Sequence, residues 1–252
     1  GGLYYHPTVV NNVETLSNVP WILVNGADAY KQIGTPQSPG PKIFCMSGHV
    51  AKPGNYELPL GTTFRELIYE HAGGIRDGKG LKAILPSGAS GPVLVATDKV
   101  LDTPLTYEDV AALGSTLGSA SIILLDEDTD MVWAAAKMTH FFKHESCGKC
   151  TPCREGTYWL DRIYERLMRG EGTQHDLDML TVVPKQMAPV TLCALGEFAA
   201  NPVLSTVTQF REEYERYIRR AEAEHPELAE TMRTVTRGTT GEIPEAVAEG
   251  GL

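Results

Sequence analysis

The sequence reads as an α+β chain of several domains, with a small sheet-and-helix unit in its first half and an all-α bundle in its second. Three observations carry this reading. Residues 42–127 set short β-branched and aliphatic runs between turn signals, around one amphipathic helical stretch. From Asp130 onwards, apolar residues recur at helical spacing in four successive stretches with short connections. Three of the five cysteines fall at C-x2-C-x2-C spacing between the first two of those stretches.

Composition narrows the function classes. A chain of 252 residues has room for two or three compact units, and its 42% hydrophobic content is ordinary for a globular protein. The formal net charge of −10 excludes nucleic acid as the main partner, since phosphate neutralisation needs a basic surface. The longest aliphatic runs, such as Ile122 to Leu125, are far too short to cross a bilayer, so any membrane link passes through other subunits. Closely spaced cysteines of this kind need reduced thiolates and point to a reducing compartment, not to a disulfide framework. The chain opens on Gly1-Gly2-Leu3 with no initiator Met and no signal segment, as if its start had been cut away.

Taken in order, Thr8-Val9-Val10 reads as a short strand ending at the polar turn Asn11-Asn12. Asn12 or Thr15 then caps a short helix through Leu23. On residue chemistry alone, Asn11 and Asn12 are ordinary turn and capping residues. Gly34 to Pro41 is a linker. Lys42–Val50 and Tyr56–Leu58 read as strands joined by the turn Lys52-Pro53-Gly54-Asn55. Thr63 and Glu66 form a capping box over a helix to Ala72, with Phe64, Leu67, Ile68 and His71 on one face and Gly73-Gly74 as its stop. Strands at 81–85, 93–96 and 121–125 complete the unit. The loop from Pro86 to Pro92 lacks the lysine of a P-loop and reads as structural, and Cys45 as a small buried hydrophobe.

The helical half begins with Met131, Ala134, Ala135, Met138, Phe141 and Phe142 on one face. A second helix carries Tyr158, Leu160, Ile163, Tyr164 and Leu167 and stops at Gly170. A third runs from Gln174 to Met187 behind a Thr173/Asp176 cap, with Pro184 expected to kink or end it. Asn201-Pro202 opens a fourth, with Val203, Val207, Phe210, Tyr214 and Ile218 as its stripe. Residues 221–252 are too poor in large apolar groups to offset ordering entropy and read as a flexible or partner-bound tail.

Cys147, Cys150 and Cys153, with the remote Cys193, offer four thiolates from two connections between helices. Three close cysteines plus a distant one suit the corners of a cuboidal iron-sulfur cluster, whereas tetrahedral zinc usually pairs its ligands two and two. A zinc-stapled interaction module stays open as the alternative. Four thiolates leave no open iron position, so a [4Fe-4S] centre here would carry electrons and bind no substrate. Lys143, Lys149 and Arg154 flank the loop and either soften the cluster's negative charge or line a solvated surface. His140 and His144 lie on one helical face without a carboxylate motif and read as surface or packing residues. There is no G-x-G-x-x-G, and therefore no complete dinucleotide site.

Glu145-Ser146-Cys147-Gly148-Lys149-Cys150-Thr151-Pro152-Cys153-Arg154-Glu155-Gly156, with Leu192-Cys193-Ala194-Leu195-Gly196, closely resembles the flavin-carrying, NADH-oxidising subunit of respiratory complex I. The stretch Pro7 to Thr15 and Ser47-Gly48-His49-Val50 are also similar to that family, and the likeness runs in order to about residue 220. The resemblance implies a remnant of an FMN- and NADH-binding domain at 1–30 and a β-grasp domain of the SLBB type at 42–127. A helical [4Fe-4S] domain at 130–220 and the tail at 221–252 complete the expected organisation. It implies that FMN takes hydride from NADH and passes single electrons to the cluster and on towards quinone. Cys147, Cys150, Cys153 and Cys193 match the cluster ligands, and Asn11, Asn12 and Thr15 match a segment touching FMN, whose site lies mostly upstream. Implied partners are other peripheral-arm subunits, especially a [2Fe-2S] thioredoxin-like subunit and a large iron-sulfur subunit. The implied location is the cytoplasmic side of the membrane, or the mitochondrial matrix in a eukaryote. The diaphorase subunit of a soluble NAD-linked hydrogenase or formate dehydrogenase shares these modules and is the second enzyme reading.

Overall fold

In the computed structural model, which describes residues 1–226, the Asn12 side-chain oxygen accepts the Thr15 N–H at 3.2 Å and starts helix α1 (Val13–Asn25). The short helix α2 (Ala27–Lys31) follows. Thr8–Val10 forms no strand, because β-branched residues favour a strand only where a neighbouring strand completes the ladder; Val10 is 91% exposed. Glu14 ties α1 to the sheet, its carboxylate accepting from Lys42 Nζ at 2.6 Å and from the Ile43 N–H at 2.8 Å.

Strand β1 (Pro41–Gly48) buries Phe44 and Met46 while Ile43 stays exposed, the alternation of a half-buried strand. It turns into β2 (Gly54–Pro59) as an antiparallel hairpin. The Thr63/Glu66 capping box forms, with the Thr63 N–H on Glu66 Oε2 at 2.8 Å and the Glu66 N–H on Thr63 Oγ1 at 3.1 Å. The turns that follow, Glu66–His71, are wound as a π-helix. This wider winding carries His71 off the stripe of Phe64, Leu67 and Ile68 and out to solvent, and Ala72 is buried instead.

Strand β3 (Leu81–Ala89) continues through Pro86 and Ser87, where the sequence reads as a loop. The two-residue β4 (Leu94–Val95), α3 (Asp98–Leu101) and α4 (Tyr107–Ala112) lead to β5 (Ser121–Asp126). The sheet order is β2-β1-β5-β3-β4, with β5 parallel to β1 and antiparallel to β3. A hairpin whose first strand pairs in parallel with the last strand is the β-grasp arrangement. Cys45, expected to be buried, is half-buried.

The second half is helical: α5 (Met131–Glu145), α6 (Thr151–Met168), α7 (Gln174–Met187), α8 (Leu195–Gln209) and α9 (Arg211–Glu224). The first four form the bundle, α5 against α6 and α8, α7 against α6 and α8, and α9 packs on α8 and α5. Leu160, Tyr164, Leu177, Leu180, Val203 and Tyr214 are almost completely buried in its core. Pro184 neither ends nor shortens α7, and α8 begins before Asn201 and runs through Pro202. Both rings are buried, and that packing offsets the hydrogen bond each proline removes. The stripe from Val203 to Ile218 spans two helices, broken at Phe210 (φ −120°, ψ 34°). Phe141 and Tyr158, expected on inner faces, are 52% and 41% exposed.

The chain divides into two units, Gly1–Ser87 with Ala96–Asp126, and Gly88–Val95 with the residues from Glu127 onwards. Residues 1–30 group with the first unit. The expected tail at 221–252 begins inside α9, where Ala221 is buried, and residues 227–252 lie outside the described ones.

Candidate metal centre

The first three cysteines sit where two helices meet. Asp130 caps α5 by accepting from the Val132 and Trp133 N–H groups, and Tyr217 donates to the same carboxylate at 2.6 Å, fixing the helix start. At the other end the Ser146 N–H closes on Phe142 O at 3.0 Å. Gly148 then takes φ +74°, a conformation that a Cβ-bearing residue rarely adopts, and turns the chain back towards α6. Arg154 Nη1 donates to Gly148 O at 2.8 Å and clamps that turn. Cys150 is the N-cap residue of α6, Pro152 lies in the first turn, and Cys153 follows on its first turn. Two thiols therefore stand at a helix N-terminus, where the exposed N–H groups and the helix dipole favour negative charge.

The fourth cysteine arrives from α7. Gly156, one turn past Cys153, is buried where an added Cβ would lie 2.6 Å from Met187 Sδ, so its missing side chain lets α7 approach closely. The chain leaves Met187 through a 3-10 turn, Ala188–Val190. Thr191 Oγ1 donates towards Cys193 O at 3.0 Å and Ala188 O at 3.3 Å. Gly196 faces Thr191 so tightly that a Cβ would come within 2.3 Å of it, which holds Cys193 in a compact turn before α8.

Three of the thiols act on the fourth, Cys153. Burial raises the Cys153 thiol above its ordinary value, the Ser146 hydroxyl at 3.3 Å opposes this, and Cys150, Cys193 and Cys147 push it further up. The Leu192 N–H lowers the Cys150 thiol, assisted by the Cys153 and Cys150 N–H groups and the Arg154 charge, against some burial. The contact between Leu192 and Cys150 joins the two cysteine segments. Cys147 and Cys193 are exposed, Cys150 is half-buried and Cys153 is buried. Among the described residues, no three His, Cys, Asp or Glu side chains are arranged to hold a single metal ion.

The flanking charges differ in role. Lys143 Nζ donates to the buried Asp161 at 2.7 Å, so its charge is matched there. Lys149 is exposed. His140 Nδ1 lies 3.1 Å from Asp161, and His144 pairs with Glu145 at 2.9 Å. Asn11, Asn12 and Thr15 are exposed and belong to the first unit; Asn12 spends its side-chain oxygen on the α1 cap. Ser146, Asp161 and the Leu192 N–H are the site features that sequence reasoning missed. Only the place of Ser146, directly before Cys147, was open to inspection.

Residues 43–93 match the SLBB domain, and residues 133–217 match the NADH-ubiquinone oxidoreductase-F iron-sulfur binding region. The F subunit of NADH-quinone oxidoreductase from Mycobacterium tuberculosis (strain ATCC 25618 / H37Rv) is 51% identical over 213 residues, 84% of this chain and 47% of that protein. Its Streptomyces coelicolor counterpart is 48% identical over 86% of this chain and 48% of that protein. The crystal structure of an NAD+-reducing [NiFe]-hydrogenase in the air-oxidized state superposes with TM-score 0.76 at 37% identity, covering 84% of this chain and 36% of that one. The chain spans about half the length of the curated relatives it matches. Over that span it carries the SLBB and iron-sulfur binding regions, and it is homologous there to the F subunits of NADH-quinone oxidoreductases.

Proposed function

We propose that this chain is an electron-transfer part of an NADH:quinone oxidoreductase, with Cys147, Cys150, Cys153 and Cys193 as the ligands of a [4Fe-4S] cluster. The observation that carries the reading is the C-x2-C-x2-C turn at the α6 N-terminus, inside the region matched to the iron-sulfur family. The donor set fits the group. A tetrahedral zinc ion with Zn–S bonds near 2.3 Å needs its sulfurs within about 3.8 Å of one another. A cuboidal cluster binds each thiolate through a different iron and accepts a wider spacing. Three close cysteines and a remote one, within the region matched to the iron-sulfur family, therefore favour the cluster over the zinc-stapled module.

When bound, the cluster supplies one-electron transfer. The protein's own part is to offset its negative charge and keep its corners fixed. The α6 N-terminus and the N–H groups on Cys150 do the first; the Gly148 turn and the Thr191 turn do the second. Asn11, Asn12 and Thr15 are proposed to contact FMN, with NADH as the reductant of the whole enzyme. Asn12 is committed to its cap, which leaves Asn11 and the Thr15 hydroxyl as the freer groups for flavin.

We place the chain in the peripheral arm, on the cytoplasmic side or in the mitochondrial matrix, beside a [2Fe-2S] thioredoxin-like subunit and a large iron-sulfur subunit. No helix among the described residues is long and apolar enough to cross a membrane. The hydrogenase likeness keeps a diaphorase role as the second reading, but identity is higher to the quinone-linked relatives, 51% against 37%. Capture of the native assembly tests the choice. Membrane subunits that reduce quinone at the expense of NADH are expected; a hydrogenase or formate-oxidising subunit in their place would overturn it.

A further inference from the structure

Ser146 reaches into the centre without being one of its thiols. It caps α5 through its own N–H, so the helix end fixes where its side chain starts. Its Oγ stands 3.3 Å from Cys153 Sγ, and the Gly148 N–H approaches the same oxygen at 3.4 Å. The Gly148 peptide is itself held from the other side by Arg154. A hydroxyl has one proton to give and two lone pairs to receive. The Gly148 N–H occupies a lone pair, and an iron-bound thiolate has no proton. The hydrogen between Oγ and Sγ is then the serine's.

We infer that Ser146 is a positioning and potential-setting residue, donating its hydroxyl hydrogen to the Cys153 thiolate. The inference rests on the reading that the four cysteines hold a [4Fe-4S] cluster. Its consequence follows from charge. A hydrogen bond to sulfur withdraws electron density from the iron-thiolate unit and stabilises the reduced, more negative state more than the oxidised one, so it raises the reduction potential. The effect should be felt strongly at Cys153, the buried member of the four, where water cannot replace a lost donor. A hydroxyl that touched sulfur only as filler would leave the potential alone.

The test uses Ser146→Thr, which keeps the hydroxyl, and Ser146→Val, which has the shape of threonine without it, with Ser146→Ala as a third variant. Midpoint potentials come from EPR-monitored redox titration of the cluster-loaded chain, with iron and acid-labile sulfide counted on each sample. The Val and Ala variants are expected to titrate at lower potential with unchanged iron content, and the Thr variant close to the parent. Resonance Raman supplies a second readout: part of the H2O-to-D2O shift of the iron-thiolate bands should vanish in the Val variant and persist in the Thr variant. If the Val variant loses iron, the potential and isotope shift of the Ala variant, compared with those of the Thr variant, decide the matter. Unchanged potential and unchanged isotope shift in the Val and Ala variants overturn it while leaving the cluster intact. A parent chain that holds zinc and no sulfide overturns the cluster reading itself, and is seen before any substitution is made.

Discussion

At the scale of single residues, the centre depends on a few side chains whose substitution separates ligation from folding. Cys193 is exposed and has no share in the helical core, so Cys193→Ser should leave the helices folded and make the cluster labile. Circular dichroism and iron content measured over time check this, and an unchanged iron content and visible spectrum would remove Cys193 from the ligand set. Gly148 sits at φ +74°, where an L-residue costs about 1–2 kcal/mol. Gly148→Ala should therefore lower the unfolding free energy by about that amount and reduce iron retention, as read by denaturant titration and metal analysis. The C-x2-C-x2-C motif was legible because spacing is a property of the sequence. Ser146 was not, since its role depends on α5 ending at Glu145 and on Gly148 turning the chain back, and neither is written in residue types alone.

At the scale of elements, two charged contacts decide how helices are fixed. Asp176 closes the α7 capping box with Thr173 and pairs closely with Arg166 of α6, and it is buried while Arg166 is partly exposed. Asp176→Ala should cost about 2 kcal/mol, from the lost cap and the lost charged hydrogen bonds, measurable as a lower denaturation midpoint with unchanged slope. Glu14 ties α1 to β1. Partial burial pushes its carboxyl up, but the Lys42 ammonium and the Ile43 N–H outweigh this and hold it below its ordinary value of 4.5. A carboxyl lowered by folding adds stability above its unfolded value and loses it as pH falls through the folded one. Exchange of the Ile43 amide should thus accelerate below about pH 4.5, beyond the intrinsic change. The same region in Glu14→Gln should lose most of that pH dependence. Helix caps such as Thr173/Asp176 were readable because they are local. Pro184, Pro202 and the break at Phe210 were misread because tertiary burial overrides proline's local cost, and an apolar stripe looks the same across a break. The Thr8–Val10 run failed as a strand for the converse reason: its propensity had no partner.

At the scale of the whole molecule, all four proposed ligands lie in the second unit. A group bound only by the folded state stabilises by mass action. Removing the cluster by chelation under oxidising conditions should lower the melting of the helical unit and leave the transition of the sheet unit where it was, a separation that calorimetry resolves. Two transitions falling together would show that the units melt as one. The division into a sheet half and a helical half was legible from the change of hydrophobic period, while the inclusion of residues 88–95 with the helices was not. That grouping reflects long-range bonds such as Val93 N–H to Ser205 Oγ at 2.9 Å and Asn201 Nδ2 to Ser90 O at 2.9 Å.

The central claim is that four cysteines of this chain hold a cluster that carries single electrons. Low-temperature EPR of the anaerobically purified, dithionite-reduced chain, with iron and sulfide counted on the same sample, tests it most directly. A rhombic signal near the free-electron position and about four irons with matching sulfide per chain are expected, as for a reduced cubane. An EPR-silent sample with zinc and no sulfide would contradict the claim and leave the cysteines as a structural staple.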